Sequence, residues 1–62
     1  MTFFLFSADV YEMENNPAYS CHKEGEFTSR EEAEAIGEQL EEASLGRDEF
    51  WVLTAVEAAP LL

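Results

Sequence analysis

The chain is short of positive charge, cysteine, glycine, proline and long apolar runs. Of its 62 residues, three are Lys or Arg and fourteen are Asp or Glu, for a formal net charge of −11 at pH 7. Phosphate repels such a surface, so direct binding to DNA or RNA is disfavoured. An anionic membrane face is disfavoured for the same reason. The single cysteine, Cys21, builds no internal disulfide framework, and the simplest compartment is the reducing cytosol of the producing or host cell. Three scattered glycines supply no phosphate-cradling loop. No apolar run reaches the roughly 18 residues that a membrane span requires. The opening MTFFLFSADVYEM has no basic leader and soon meets Asp9 and Glu12, so it does not read as a signal peptide.

Apolar content is ordinary by contrast. Hydrophobic residues make up 47% of the chain, with five Phe, two Tyr and one Trp. These aromatics argue for a folded chain despite the acidity. The length allows one small domain. A domain of this size buries about 60% of the surface its unfolded chain exposes. The core is therefore thin, with little room for a deep active-site cleft.

Residues 2–13 read as a strand. Phe4, Phe6, Ala8 and Val10 share one face at period two, while Phe3 and Leu5 add apolar weight to the other. Apolar character on both faces suggests a central strand. Glu14, Asn15, Asn16 and Pro17 form a turn signal. A second strand follows over residues 18–27, at an edge because Pro17 cannot donate to a ladder. With Asn15 and Asn16 as a two-residue loop, Val10 faces Cys21 and Asp9 faces His22; a longer loop would alter this register. Cys21 and Phe27 then join the Phe4 and Phe6 side, and His22, Glu24 and Glu26 point the other way.

The helix signal is clearer. Ser29 with Glu32, or Thr28 with Glu31, makes a capping box, and Gly46 is a natural stop. A helix over residues 29–45 places Ala33, Ile36, Leu40 and Ala43 on one narrow face, which should lie on the sheet. Residues 49–57 form a short, β-branched and aromatic run that reads as a third strand. Either Trp51 or the Phe50 and Val52 pair faces away from the helix. The order strand, strand, helix, strand predicts an α+β domain of two layers: a three-stranded, mostly antiparallel sheet in order 2-1-3 with one helix on one face. The second sheet face is left for the C-terminal tail or for a partner.

Six glutamates lie in the helix, and Glu31, Glu34, Glu38, Glu41 and Glu42 fall within an arc of roughly 100°. Along the axis this ridge is about 16 Å long at 1.5 Å per residue. A merely solvated face usually mixes signs at i,i+4. Here the neighbouring pairs are Glu31–Glu34, Glu34–Glu38, Glu38–Glu41 and Glu38–Glu42, each costing a few tenths of a kcal/mol. Uncompensated self-repulsion in so small a protein suggests selection for the charge itself. Glu12, Glu14, Glu24 and Glu26 are candidates for a second acidic patch on the hairpin. The natural complement of such a surface is a basic groove on another protein, and the commonest basic grooves hold nucleic acid.

Catalytic and metal-binding patterns are lacking. Cys21 and His22 are strand neighbours on opposite faces, which excludes a local nucleophile–base dyad. One Cys and one His are too few for zinc, and no calcium-loop spacing occurs. Carboxylates on an exposed helix lack the desolvation that tunes acid–base pairs. The sequence therefore predicts no enzyme, no cofactor and no metal.

The short length, low pI, α+β pattern and the glutamate ridge in SREEAEAIGEQLEEASLG resemble the small acidic anti-CRISPR proteins of phages and mobile elements, in particular those that act as DNA mimics on type I interference complexes. The resemblance covers the whole chain as a profile, without a signature motif. It implies a monomeric or weakly dimeric inhibitor in the bacterial cytoplasm that binds the surveillance complex, or its nuclease, and blocks target DNA. Anti-restriction proteins and uracil-DNA glycosylase inhibitors use the same acidic strategy. A reading of another class is a small regulatory or antitoxin-like module that binds through the apolar sheet face near Phe3, Leu5 or Trp51, its acidity serving solubility.

Overall fold

A strand with two apolar faces needs cover on both sides, and the fold supplies it. The computed structural model describes residues 1–11 and 21–61. Strand β1 (Phe3–Asp9) lies between β2 (His22–Phe27) and β3 (Asp48–Thr54), giving the sheet order β2-β1-β3 with both pairings antiparallel. Helix α1 (Arg30–Ser44) connects β2 to β3. A four-residue helix, α2 (Ala55–Ala58), and a 3-10 turn (Ala59–Leu61) follow β3. This is the expected α+β fold and strand order. β1 stops at Asp9, with helical backbone at Val10 and Tyr11, so it is shorter than the predicted strand over 2–13. The predicted turn at Glu14, Asn15, Asn16 and Pro17 and the start of the second strand lie outside the described residues.

The faces of β1 divide cleanly. Leu5 pairs with Val52 and Ser7 with Phe50, and directly opposed residues share a face. This is the α1 side: a Cβ built on Gly37 would meet Leu5 Cδ1 at 3.2 Å and Phe50 Cβ at 3.6 Å. On the other side Phe4, Phe6 and Ala58 are buried together, with Cys21, Trp51 and Leu53 packed against them. The C-terminal helix thus covers the second sheet face. It starts where a strand over 49–57 was expected to continue. Thr54, Glu57 and the two residues between them form a complete capping box: Glu57 N–H donates to Thr54 Oγ1 at 3.3 Å, and Thr54 N–H donates to Glu57 Oε1 at 2.8 Å. This box ends β3 at Thr54 and turns Ala58 inward, while Val56 stays exposed.

A bulge corrects the predicted register of β2. Leu5 pairs with Gly25, but Phe6 pairs with Lys23, so Glu24 is the extra residue. On the hairpin side of the bulge His22 faces Ser7, not Asp9, a register two residues away from the expected one. The inserted residue also reverses the side-chain alternation between Cys21 and Phe27. Cys21 reaches the Phe4 and Phe6 side as expected, whereas Phe27 pairs with Phe3 on the α1 side. Glu24 accepts a hydrogen bond from the buried Ser7 hydroxyl at 2.7 Å, giving that polar group its partner.

Of the two possible N-caps, Ser29 is the one used, accepting from Glu32 N–H at 3.4 Å. At the other end both Leu45 (φ 57°) and Gly46 (φ 79°) are left-handed. Gly46 adopts this conformation freely; Leu45 does so at a steric cost of about 1–2 kcal/mol, with its side chain 92% exposed. Leu45→Gly should therefore raise stability by up to about 1 kcal/mol after the added chain entropy is subtracted. Thermal denaturation should show a higher Tm, by several degrees in a domain of this size; an unchanged or lower Tm would contradict the strain.

The capping box makes a second prediction. Thr54→Ala should cost about 1 kcal/mol and loosen α2 from Phe4 and Phe6, read as increased binding of an apolar dye. Glu57's carboxyl is held below its ordinary pKa of 4.5, chiefly by the hydrogen bonds from Thr54's backbone and hydroxyl and further by the Arg30 charge. A depressed folded pKa means stability that is present above the unfolded value and lost as pH falls through the folded one. The Thr54 amide proton should accordingly shift with a midpoint below 4.5, and a midpoint above that value would contradict the cap.

Candidate functional site

The rotation of α1 about its axis decides where the acidic ridge lies. Ala33 and Gly37 are the buried positions of the helix; Ile36 and Leu40 are half-buried, and Ala43 is exposed. The expected face of Ala33, Ile36, Leu40 and Ala43 is thus corrected by roughly 60° on a 100°-per-residue wheel. The physical reason is close approach. Gly37 has no side chain, so the helix backbone settles on Leu5 and Phe50 there, and Ala43 rolls outward.

This roll moves the ridge from the outer crest of the helix toward its flank. Glu31, Glu34, Glu38, Glu41 and Glu42 are all exposed. Glu34, Glu38 and Glu41, at i, i+4 and i+7, rim a groove of about 280 Å³ between α1 and β3. Its floor is Leu5, Gly37, Phe50 and Val52. Arg30 stands at one end of the groove, its guanidinium 5.1 Å from the centroid of the Phe3 ring. Glu38, Glu41 and Glu42 also surround a shallow depression beside Leu45 and Gly46 at the helix C-terminus. Glu31 lies outside both.

The charges of the ridge are uncompensated. Among the described residues, Lys23 pairs with Glu26 at 4.0 Å, and no ridge carboxylate has a cationic nitrogen that close. The last turn of α1 has no basic residue, although Glu41 and Glu42 stand near the negative end of the helix dipole. The ridge therefore opposes its own helix through like-charge neighbours, and its C-terminal members Glu41 and Glu42 also oppose the dipole, which Glu31 in the first turn suits.

The candidate second patch is dispersed. Glu12 and Glu14 lie outside the described residues. Glu26 faces Phe4 across the sheet and pairs with Lys23, which itself sits 5.7 Å from the Phe4 ring centroid. Glu24 is bonded to Ser7 from the bulge. Both are exposed, but they serve different sides of the sheet. His22 is exposed and Cys21 half-buried on the opposite side. Among the described residues no group of three or more His, Cys, Asp or Glu could hold a metal ion. Trp51 packs on the Phe4 and Phe6 side, which decides the open orientation of the third strand: Phe50 and Val52 face the helix.

The groove itself escaped the sequence reading. Gly37 inside a helix signals a close backbone approach, and the 2-1-3 order already leaves β3 at an edge; together these would have located it. No known protein family, curated protein or solved structure matches the chain. Among the described residues no helix is long and apolar enough to cross a membrane.

The ridge should carry a measurable stability cost. Glu38→Lys turns three like-charge contacts, with Glu34, Glu41 and Glu42, into opposite-charge ones. The expected gain is about 1 kcal/mol at low salt, shrinking as salt screens it. Urea denaturation at two salt concentrations checks this, and a destabilised Glu38→Lys variant would contradict it.

Proposed function

We propose that the chain is an inhibitor protein that occupies a nucleic-acid-binding groove in place of nucleic acid. Its partner is a type I CRISPR surveillance complex in the cytoplasm of a bacterial cell, where it blocks target DNA. The observation that carries this reading is the exposed row of Glu31, Glu34, Glu38, Glu41 and Glu42, none of them within 4.0 Å of a cationic nitrogen among the described residues. Such a row places carboxylates about 5–6 Å apart on the helix surface, a one-signed linear array of the kind that a phosphate backbone presents to Lys and Arg. Its charge would steer encounter with a basic groove and make binding salt-sensitive. The reading asks for no chemistry, cofactor or metal from the chain. The specific choice of a CRISPR complex rests on the resemblance in length, acidity and pattern.

The interaction-module reading receives less support. It depended on an open apolar sheet face near Phe3, Leu5 or Trp51, yet Leu5 is buried beneath α1, Trp51 packs against Phe4, Phe6 and Ala58, and Phe3 and Trp51 are only half-buried.

The test is displacement of target DNA from a purified type I complex. Wild-type protein should displace DNA, and higher salt should weaken its binding. The triple variant Glu31→Lys, Glu38→Lys, Glu42→Lys changes the outward side of the ridge and leaves the packing of Ala33 and Gly37 untouched. It should keep its circular dichroism spectrum and lose at least about tenfold in affinity. A folded triple variant that still displaces DNA would remove the ridge from the interface.

A further inference from the structure

The outer edge of β3 carries the strongest unexplained feature of the molecule. In the order β2-β1-β3, among the described residues no strand pairs with that side of β3. An edge strand exposes a row of backbone N–H and C=O groups that invites another strand. Edges are usually guarded by charges, a proline or a bulge. Residues 50–54, Phe-Trp-Val-Leu-Thr, contain none of these along their length, and no register shift interrupts the β1–β3 pairing. Asp48 and Glu49 guard only the start of the strand, and beyond them the guard stands on the neighbouring element. Glu34, Glu38 and Glu41 line the flank of α1 beside Phe50 and Val52.

A guard of one sign is selective. A second copy of the chain also carries −11, and pairing through β3 would bring two acidic flanks together. A basic strand meets the opposite situation. Side chains of an added strand alternate between the two faces of the sheet. Those on the α1 face would reach the Glu34, Glu38 and Glu41 rim, with their aliphatic stems over Phe50 and Val52. Those on the other face would continue the surface of Trp51 and Leu53, both half-buried.

We propose that the β3 edge, with the acidic flank of α1 above it, is a docking site for an extended segment of a partner protein in which basic residues alternate with apolar ones. The partner adds a fourth strand beside β3, so its backbone supplies hydrogen bonds and its Lys or Arg side chains supply register. The uncharged stretch of the edge has room for about five residues, or roughly 17 Å of strand. This inference rests on the reading of the acidic surface as a protein-binding one, and it says how that surface grips its partner.

The probe is a blocked synthetic peptide of about nine residues alternating Lys or Arg with Val, titrated into the full chain with NMR and amide hydrogen exchange as readouts. Saturable binding with new protection of the β3 amides is expected, along with at least a tenfold loss when two consecutive central residues of the peptide are proline. The same basic and apolar residues arranged in two blocks should also bind at least tenfold more weakly. Glu34→Gln, Glu38→Gln, Glu41→Gln should reduce affinity at low salt while the free fold is retained. Equal binding of the proline peptide would reduce the contact to charge alone and overturn the proposal. So would protection confined to β2, no binding, or a peptide-free dimer formed through β3. DNA displacement from the CRISPR complex reads the wider proposal separately. Peptide capture on β3 without DNA displacement leaves the edge site standing. DNA displacement with no peptide capture removes the edge site alone.

Discussion

Gly37 sets how close α1 comes to the sheet, and the placement of the acidic surface follows from that distance. A built Cβ at this position would stand 3.2 Å from Leu5 Cδ1, tighter than ordinary van der Waals contact. Without it the helix axis settles over Leu5 and Phe50, and the rest of the helix must turn to suit. Ala33, one turn earlier, is fully buried by the same turn, and Ala43, two turns later, is expelled. Gly in a helix interior sacrifices roughly 1 kcal/mol of propensity relative to Ala. The close approach it permits, which buries Leu5, offsets that loss.

The same rotation couples core packing to electrostatics. Had Ala43 and Ile36 led the contact, the five ridge glutamates would crown the helix, far from any strand. With Gly37 leading, Glu34 and Glu41 descend toward β3 and become the rim of a groove floored by apolar side chains. On the opposite sheet face a much smaller device does comparable work. The capping box at Thr54 and Glu57 turns the chain after β3 and seats Ala58 against Phe4 and Phe6. One central strand is thus sandwiched by a 15-residue helix on one side and a four-residue helix on the other.

The parts of this structure legible in the sequence are those specified locally. The helix start at Thr28 or Ser29 and the Gly46 stop follow from cap chemistry within a few residues of each position, and the strand order follows from a hairpin and one helical crossover. Cys21 and Phe27 illustrate the opposite case. Cys21 reached its expected side, yet Phe27 did not, because the extra residue at Glu24 reverses alternation between them. Nothing in HKEGEF marks a bulge except Gly25, and a two-residue loop at Asn15 and Asn16 was an equally simple frame. The C-terminal helix was missed because residues 55–56, Ala-Val, continue an apolar run; the signal was the Thr-x-x-Glu spacing, outweighed by β-branched and aromatic content. In the candidate site, the identity and exposure of the five glutamates were legible from period 3.6. Their neighbours Phe50 and Val52 were not, since helix rotation is set by a tertiary contact.

The remaining question is why a small protein keeps two features that each work against it. The glutamate ridge opposes its own helix through like-charge neighbours and through the dipole at Glu41 and Glu42. The β3 edge, uncharged over residues 50–54, offers a template for unwanted pairing. Taken separately, each is a liability in a small domain, where marginal stability leaves little to spare. Taken together they are complementary. The ridge repels every strand that carries this chain's own charge, which makes the bare edge tolerable, and the bare edge gives the ridge something more specific than charge to offer. A purely acidic surface binds any basic protein in proportion to its charge; in the proposed complex an acidic surface beside an edge with no strand partner among the described residues would bind a basic segment in one register and one direction. In that proposed complex long-range attraction would govern how quickly the partner arrives, and the short-range geometry of Phe50, Val52 and the strand backbone would govern which partner remains.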